Sequence, residues 1–365
     1  MIKIKEVIRF LERIAPPALQ ESYDNAGLIT GDANLDCQGI LITLDTTEEI
    51  VDEAIEKGCN MIVAHHPIVF RGLKTFTGRD YVERTVIKAI KNDIAIYAAH
   101  TNLDNVANGG VNGKIAEKIG LLDTKILAPK SQNLFKLTTF VPEKDADKVT
   151  QALNEAGAGQ IGEYKNCSFR SSGTGFFQPG EKSNPHIGAH GTLESVDECR
   201  VEVIFPEYMK GNVISALNNA HPYEEVAYYL HRLENTNQET GSGMVGVLPE
   251  AMDAEKFLLH LKKCMNLDTI RYTGFESEIR KVAVCGGSGS FLLKRAKAVG
   301  ADAFVTGDFK YHEFFDAEGK VMIADIGHYE SEAFTKELFH EHLSDKFPSI
   351  ALYLSDINTN PVHYI

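Results

Sequence analysis

The sequence predicts an α/β fold in which two related outer segments form one domain and a different α+β domain is inserted between them. Three observations predict it. Apolar strands alternate with amphipathic helices near both ends of the chain, the two ends repeat one another, and the middle contains a second repeat. The predicted boundaries are residues 1–129 for the first half of the outer domain, 130–238 for the insert and 239–365 for the second half.

Composition and charge limit the class of protein. A chain of 365 residues with 43% hydrophobic content is long enough for two or three domains. No apolar run reaches the length of a membrane span, and the N-terminal segment carries charges at helical spacing, which predicts a cytoplasmic protein. The formal net charge of −14 argues against a general nucleic-acid binder, although a mononucleotide bridged through metal stays compatible with it.

The six cysteines are scattered and show no Cys-x-x-Cys spacing. They are therefore expected to be reduced and mostly structural, so a metal in this protein would not be held by thiolates.

The first outer segment predicts alternating strands and helices. A helix over residues 3–14 is followed by strands at 27–31 and 39–45, a helix ending at Lys57 and a strand at 61–64. A helix near 82–91 and a strand at 94–99 complete a β-α-β-α-β series, which is typical of a mostly parallel sheet.

The second outer segment repeats this order. The strand at 281–285, the helix ending at Val299 and the stretch 300–308 correspond to residues 40–66, and 321–328 corresponds to 94–100. Gly300 lies as far before Gly307 as Gly58 lies before His65. Two such halves would face each other across a pseudo-twofold cleft, the alternative being chance likeness between two generic βα units.

Two similar β-α-β segments in the middle predict a ferredoxin-like plan. Phe140-Val141-Pro142-Glu143 resembles Phe205-Pro206-Glu207, and Ala152-Leu153-Asn154 resembles Ala216-Leu217-Asn218 at the same offset. The Gly- and Ser-rich stretch 168–190 is expected to be a long hairpin loop, and the polar stretches 128–132 and 235–240 are expected to be linkers.

Candidate metal ligands follow three predicted strands, and carboxyl ends of strands are where α/β sheets bind ligands. His65 and His66 follow 61–64, Asp104 comes after 94–99, and His328 and Glu332 lie four residues apart on one helix face. Imidazole and carboxylate without sulfur suit zinc, iron or manganese, and five donors with a shareable carboxylate suit two ions better than one. Each residue also has a structural alternative, as a turn histidine, a helix cap or an exposed i,i+4 pair.

Two further histidines, His312 and His100, are candidates to move protons, with structural or ligand-supporting roles as the alternative. Gly286-Gly287-Ser288-Gly289-Ser290 could cradle a phosphate at a helix start, although its counterpart in the first half is an ordinary helix cap.

Four motifs resemble those of the GTP cyclohydrolase 1 type 2 homolog family, also called NIF-three-like: His65-His66-Pro67, Thr101-Asn102-Leu103-Asp104, Thr306-Gly307-Asp308-Phe309-Lys310-Tyr311-His312-Glu313 and Gly327-His328-Tyr329-Glu330-Ser331-Glu332. The resemblance implies a dinuclear metal site with His65, His66, Asp104, His328 and Glu332 as ligands. It also implies a toroidal homohexamer whose metals face an inner cavity.

The middle segment, including His221-Pro222-Tyr223-Glu224-Glu225, resembles the PII-like or CutA-like domain inserted in the longer bacterial members. One departure from the family is visible, because Tyr23 stands before Asp24-Asn25-Ala26-Gly27-Leu28 where the family has a tryptophan, and the chain contains no tryptophan.

The resemblance favours metal-dependent hydrolysis of a nucleotide or phosphoester, with ring opening of GTP implied by the family name alone. The alternative is a non-enzymatic metal-binding regulator or scaffold that senses a ligand or partner through the PII-like insert. Openness of the metal site separates the two, because a catalytic site leaves room for water and substrate.

Overall fold

The computed structural model describes all 365 residues, in two compact units. Unit 1 comprises Met1–Pro129 and Glu239–Ile365, and unit 2 comprises Lys130–Gln238. The helices are α1 (Ile4–Ile14), α2 (Glu48–Glu56), α3 (Tyr81–Lys91), α4 (Thr101–Asp104), α5 (Val111–Ile119), α6 (Ala146–Glu155), α7 (Lys210–Ala220), α8 (Ala254–Cys264), α9 (Leu293–Ala298), α10 (His328–Glu332) and α11 (Thr335–Lys346). The strands are β1 (Gly27–Thr30), β2 (Gly39–Thr43), β3 (Met61–Ala64), β4 (Ala95–Ala98), β5 (Leu122–Ser131), β6 (Leu134–Pro142), β7 (Phe169–Phe177), β8 (Glu194–Pro206), β9 (Tyr228–Leu233), β10 (Thr236–Met252), β11 (Arg271–Tyr272), β12 (Ile279–Ser288), β13 (Ala303–Gly307), β14 (Met322–Asp325) and β15 (Ala351–Leu354).

Unit 1 contains two sheets. The first has the order β1-β4-β3-β2-β15, in which β1 is antiparallel and the other four strands are parallel. The second has the order β11-β14-β13-β12-β10-β5, with β12, β13 and β14 parallel to one another. Strands β2, β3, β4, β13 and β14 are buried along their whole length, which explains their nearly continuous apolar sequences.

Helices cover these sheets with apolar faces of the expected period. Ile4, Val7, Ile8 and Leu11 of α1 are buried, which matches spacings of three and four residues. The largest core cluster of unit 1 joins side chains of α1, α5, α8 and α11 to residues of both sheets. The parallel strands of both sheets therefore belong to one packed body, and their carboxyl ends carry the candidate ligands.

Unit 2 has one antiparallel sheet in the order β7-β8-β6-β9, with α6 and α7 packed on one face. Alternate residues of β6 and β8, such as Leu137, Val141, Val201 and Val203, point into the core of this unit. The opposite face of the sheet carries no helix.

Two local predictions are wrong. Residues 169–177 of the predicted loop 168–190 form β7, which pairs with β8 along its whole length. The predicted linkers 128–132 and 235–240 lie mostly within β5 and β10, neighbours in the second sheet of unit 1. Both errors have the same cause. These segments are polar and rich in glycine, so their composition does not predict strands, and they are strands because they pair with a neighbouring strand.

The predicted mixed α/β class is confirmed: several sheets, parallel and antiparallel, are combined with eleven α-helices. None of these helices is both long and apolar enough to span a lipid bilayer.

Candidate metal centre

Strand ends in unit 1 position the candidate ligands. His65 and His66 follow β3 directly, and both of their backbone N–H groups donate to the Leu44 carbonyl just beyond β2. His100 follows β4 and precedes α4, which ends at Asp104. Neighbouring parallel strands therefore bring these side chains to the same edge of the first sheet.

The second sheet supplies the remaining donors. After β14, Gly327 adopts a positive φ of 92° and the chain turns directly into α10. His328 and Glu332 form the two ends of that short helix, one turn apart, so both side chains project from one face.

The side chains meet in a cluster that includes all five predicted ligands. Three groups have ligand atoms within 4.8 Å of one another: His65 with His66 and His100, His66 with His328 and Glu332, and His65 with Asp104 and Glu332. We call these residues, His65, His66, His100, Asp104, His328 and Glu332, the donor cluster. It contains nitrogen and oxygen donors only, which is the chemistry expected of a site for zinc, iron or manganese.

Glu332 connects two of these groups. Its Oε1 lies 3.7 Å from His65 Nε2, which is itself 3.6 Å from Asp104 Oδ1. Its Oε2 lies 2.9 Å from His66 Nε2 and 3.2 Å from His328 Nε2. The two oxygens of one buried carboxylate thus face two different sets of donors.

Each imidazole is oriented through its other nitrogen. The Nδ1–H of His65 donates to the Ala99 carbonyl at 2.8 Å, and that of His66 donates to Asp45 at 2.7 Å. The Nδ1–H of His100 donates to Asp24 at 2.8 Å, and that of His328 donates to Asp308 at 2.6 Å. These acceptors cannot donate, so Nδ1 carries the proton in every ring. A neutral ring then presents the lone pair of Nε2, the form in which histidine binds metal.

Two buried atoms in the cluster lack a hydrogen-bond partner. They are His65 Nε2 and Asp104 Oδ1, and the His65 side chain is fully buried. An unsatisfied buried polar atom costs about 1–3 kcal/mol, so a pair of them facing each other requires an explanation. A cation between them would satisfy both, and the donor cluster therefore fits a metal ion.

The charge balance among the side chains of the donor cluster points the same way. Burial and the neighbouring Glu332 carboxylate raise the pKa of Asp104 well above its usual value. Burial alone would also raise the pKa of Glu332, but His65, His328 and His66 hold it well below the usual range. The buried Glu332 carboxylate is stable as an anion only because positive charge is available around it.

The histidines respond in opposite directions. Burial lowers the pKa of His65, which keeps that ring neutral. Burial also disfavours charge on His66 and His328, but their hydrogen bonds to Glu332 and to Asp45 or Asp308 prevail and raise their pKa values to about 10 and about 9. Protons on these two rings thus supply the positive charge that a metal ion would otherwise provide.

A glycine pair gives Glu332 its space. A Cβ on Gly287 would lie 2.6 Å from Glu332 Oε1, and the residue has a φ of 60°. The N–H groups of Gly286 and Gly287 donate to Asn112 Oδ1 and Ser331 Oγ. This motif therefore accommodates the carboxylate, and two of the amides expected of a phosphate cradle are already engaged.

The donor cluster opens into a cavity of about 1350 Å³ within unit 1. His66, His100, Asp104, His328 and Glu332 line it on one side. Its other lining includes the aromatic residues Tyr23, Phe70 and Phe291, and the basic residues Arg71, Lys74 and Arg79. A molecule the size of a nucleotide could therefore reach the cluster from solvent.

The two predicted proton carriers lie in different places. His100 belongs to the donor cluster, with its ring 5.3 Å from the ring of His65 and 5.4 Å from that of His66 between centroids. His312 is exposed, packs against Tyr311 and does not line the cavity.

Sequence reasoning missed the acceptors Asp24, Asp45 and Asp308. Asp45 and Asp308 each follow a buried parallel strand closely, so an Asp at a strand end was the available signal.

Comparisons with known proteins identify the family and support the fold. The family model described as Duf34/NIF3 (NGG1p interacting factor 3) matches residues 2–361. Proteins named GTP cyclohydrolase 1 type 2 homolog are 43% identical in Halalkalibacterium halodurans, over 98% of both chains, and 40% identical in Bacillus subtilis, over 99% of this chain and 98% of the relative.

Solved structures are similar over the same length. A Bacillus cereus protein related to NIF3 is 40% identical with a TM-score of 0.88, covering 100% of this chain and 99% of the other. A Staphylococcus aureus protein is 31% identical with a TM-score of 0.78 and the same coverage. The chain therefore belongs to the Duf34/NIF3 family.

Proposed function

We propose that this protein holds two divalent metal ions in the donor cluster and hydrolyses nucleotides or other phosphoesters. The observation that carries the proposal is the Glu332 carboxylate, whose two oxygens face separate donor groups beside an open cavity. One ion would be held by His65, Asp104 and Glu332 Oε1, and the other by His66, His328 and Glu332 Oε2. Zinc, iron and manganese all suit these donors.

Such ions supply Lewis acidity, which polarises a phosphoryl oxygen or ring carbon and lowers the pKa of water. His100 is the residue best placed to move a proton, because its Nδ1 is fixed by Asp24 and its Nε2 remains free for the cavity. Burial raises the pKa of Asp24, but hydrogen bonds from His100 and Thr101 prevail and lower it to about 2. Asp24 is therefore ionised at neutral pH and accepts the Nδ1 proton of His100. His312 lies too far outside the cavity lining to share this role.

The cavity wall supports an anionic, aromatic substrate. Arg71 and Lys74 are exposed, take part in no ion pair and lie on the loop between β3 and α3. Phe70 of the same loop packs edge-on against His100 with ring centroids 5.4 Å apart. Positive charge next to an exposed aromatic ring suits a phosphate attached to a base, so nucleotides are the first compounds to test.

We also propose the finer architecture that the resemblance implies: a duplicated outer domain, a PII-like insert and a homohexamer. The parallel order β2-β3-β4 in one sheet and β12-β13-β14 in the other supports the duplication. Two helices on one face of an antiparallel sheet support the ferredoxin-like insert at 130–238. Exposed Tyr311 and Phe315, whose ring centroids lie 5.6 Å apart, offer an apolar surface for self-association.

A second candidate function is a metal-binding regulator or scaffold in which unit 2 senses a ligand. It is favoured by one observation, a separate cavity of about 590 Å³ within unit 2. In this case the metals would stabilise the protein without supporting turnover.

The deciding experiment is a hydrolysis screen with metal-reconstituted protein. GTP, other nucleotides and generic phosphoesters are tested with the wild type, Asp104→Ala, Glu332→Ala and, as a matched control, Glu337→Ala, whose exposed carboxylate pairs with Lys118. We expect turnover that requires added metal, is retained in the control and is lost in both ligand variants. Equal rates in the wild type and Glu332→Ala would identify a contaminant and leave the regulatory function.

A further inference from the structure

The cavity of about 590 Å³ in unit 2 has the size of a small-molecule site. It lies on the sheet face that carries no helix, between β7, β8 and the loop that joins them. Two hydrogen bonds of 2.8 Å join the two ends of that loop: the Gly191 N–H donates to the Pro179 carbonyl, and the Gln178 side chain donates to the Gly191 carbonyl. Hydrogen bonds within unit 2 therefore fix the wall of this cavity.

The carboxylate of Glu198 lies in the lining of the cavity. This residue of β8 is only 8% exposed and forms no ion pair. Its Oε1 accepts a hydrogen bond from the Tyr223 hydroxyl at 3.0 Å, while Oε2 accepts none. A Cβ on Gly175 would lie 2.2 Å from Oε2, so glycine in β7 leaves room for the carboxylate.

Burying a carboxylate without a cation is unfavourable. One hydroxyl group donates a hydrogen bond to Glu198 but brings no positive charge. The free oxygen, which borders the cavity, is thus the point where a positively charged group would be stabilised most.

Aromatic rings line the same cavity as this carboxylate. The ring of Tyr223 lies 5.7 Å from that of Phe177 and 6.3 Å from that of His186, measured between centroids, and Phe140 also lines the cavity. The faces of aromatic rings attract cations, and more so where water is displaced. Rings and carboxylate together form the kind of cage that binds an ammonium group.

Charges near the opening favour the same ligand. Glu224 and Glu225 are exposed and line the cavity, and Glu224 is fixed by the Asn184 N–H at 2.6 Å. Arg200 is the one Lys or Arg side chain in the lining, and its guanidinium is already paired with Glu202. The cavity thus carries an excess of negative charge.

We propose that this cavity binds a small organic cation, an ammonium or guanidinium compound, with its charge against Glu198 and its carbon atoms against the rings. A bare metal ion fits less well, because the three groups of side chains with metal-ligand spacing all belong to the donor cluster of unit 1. The inference does not depend on hydrolysis, and it assigns a ligand class to unit 2.

Titration calorimetry on the full chain tests the proposal. The probes are tetramethylammonium, choline, spermidine and agmatine, together with 3,3-dimethylbutan-1-ol, which has the shape of choline without its charge, and Mg²⁺. We expect at least one of the four cations to bind. For choline, we expect the uncharged analogue to bind more weakly by about tenfold or more.

Variants locate the site. Glu198→Gln should lower the affinity for the cation by about tenfold or more. Glu225→Gln, a change at an exposed position, should lower it by a smaller factor. Glu163→Gln, an exposed carboxylate of unit 2 outside the cavity, should bind as the wild type does. Tyr223→Phe keeps the ring and removes only the hydroxyl, so it should retain measurable binding.

Several results would overturn the proposal. They are failure of all four cations to bind, equal affinity for choline and its uncharged analogue, binding of Mg²⁺ in place of the organic cations, or unchanged affinity in both Glu198→Gln and Glu225→Gln. If Glu198→Gln proves unfolded by circular dichroism, the Glu225→Gln result decides.

Discussion

Single residues outside the donor cluster fix the direction of each imidazole. Asp308 is an example, because its Oδ2 accepts the Nδ1 proton of His328 at 2.6 Å. It occupies the left-handed region with φ of 60°, a conformation that asparagine adopts as readily as aspartate. Asp308→Asn therefore removes the charge and leaves the backbone undisturbed.

We expect Asp308→Asn to weaken metal binding by about 10–100-fold, the usual effect of losing a carboxylate behind a ligating histidine. Competition with a coloured chelator measures the affinity. Asp316→Asn, at an exposed position on the 3-10 helix Tyr311–Ala317, serves as the control. Equal affinity in the two variants would contradict the orienting role.

Gly287 leaves space for the Glu332 carboxylate. Gly287→Ala would place a methyl group 2.6 Å from Glu332 Oε1, whereas Gly300→Ala would meet nothing within 4 Å. Both positions have positive φ, of 60° and 69°, so both alanines bear a similar backbone strain of about 1–2 kcal/mol.

Calorimetry should then show similar losses of thermal stability in the two variants but weaker metal binding in Gly287→Ala alone. The difference isolates the displacement of Glu332 from the strain. Equal metal affinity in both variants would mean that Glu332 has room to move and does not depend on this glycine.

The donor cluster shows what sequence can predict at this scale. His65, His66, Asp104, His328 and Glu332 were predictable as neighbours, because each follows a recognisable buried strand. Asp45 and Asp308 could have been noticed as carboxylates after buried strands. The hydrogen bonds that they and Asp24 form were not predictable, because each depends on a side-chain direction that packing determines. That all five bind metal stays a prediction.

Among the elements of the fold, the loop between β3 and α3 forms part of the cavity wall. Buried Glu83 of α3 holds it, accepting hydrogen bonds from Thr75 Oγ1 (2.9 Å), from the Thr77 N–H and hydroxyl (2.9 and 2.8 Å) and from the Arg79 N–H (3.2 Å). Burial would raise the pKa of Glu83, but these bonds prevail and lower it to about 2.

The sign of the pH effect follows from this lowered pKa. The contribution of Glu83 to stability is fully present above its unfolded pKa of about 4.5 and is lost as the pH falls toward 2. Glu83→Gln should therefore lower the melting temperature at pH 7, and its difference from the wild type should shrink between pH 5 and pH 3. A difference that stays constant over that range would contradict the assignment.

Strand β7 shows the limit of prediction for elements. Phe169–Phe177 lies at the edge of its sheet and is mostly exposed, so it lacks the alternation of buried and exposed residues that marks a strand. By contrast, β3 and β13 were predictable because burial on both faces requires nearly continuous apolar sequence.

For the whole molecule, we expect the two units to fold independently of each other. Each has its own core, and the boundary residues Pro129 and Glu239 belong to unit 1. Replacing 130–238 with a short turn should leave a folded unit 1 that binds metal with wild-type affinity. Near-UV circular dichroism and metal titration check this, and insoluble protein or lost metal binding would contradict it.

The self-assembly of the chain is a further property of the whole molecule. We expect light scattering to give six times the chain mass of 40.3 kDa. Replacing exposed Tyr311 and Phe315 together with serine should lower this mass if they form the contact surface. A monomeric wild type would refute the hexamer.

One buried carboxylate is proposed to join two metal sites, and the number of metal ions bound per chain is the direct test. Protein purified without chelator and saturated with zinc or manganese is analysed by mass spectrometry of its metals, beside Glu332→Gln and Glu337→Gln. We expect about two ions per chain in the wild type and in Glu337→Gln, and markedly fewer in Glu332→Gln. A metal-free wild type under these conditions, or two ions retained in Glu332→Gln, would contradict the account.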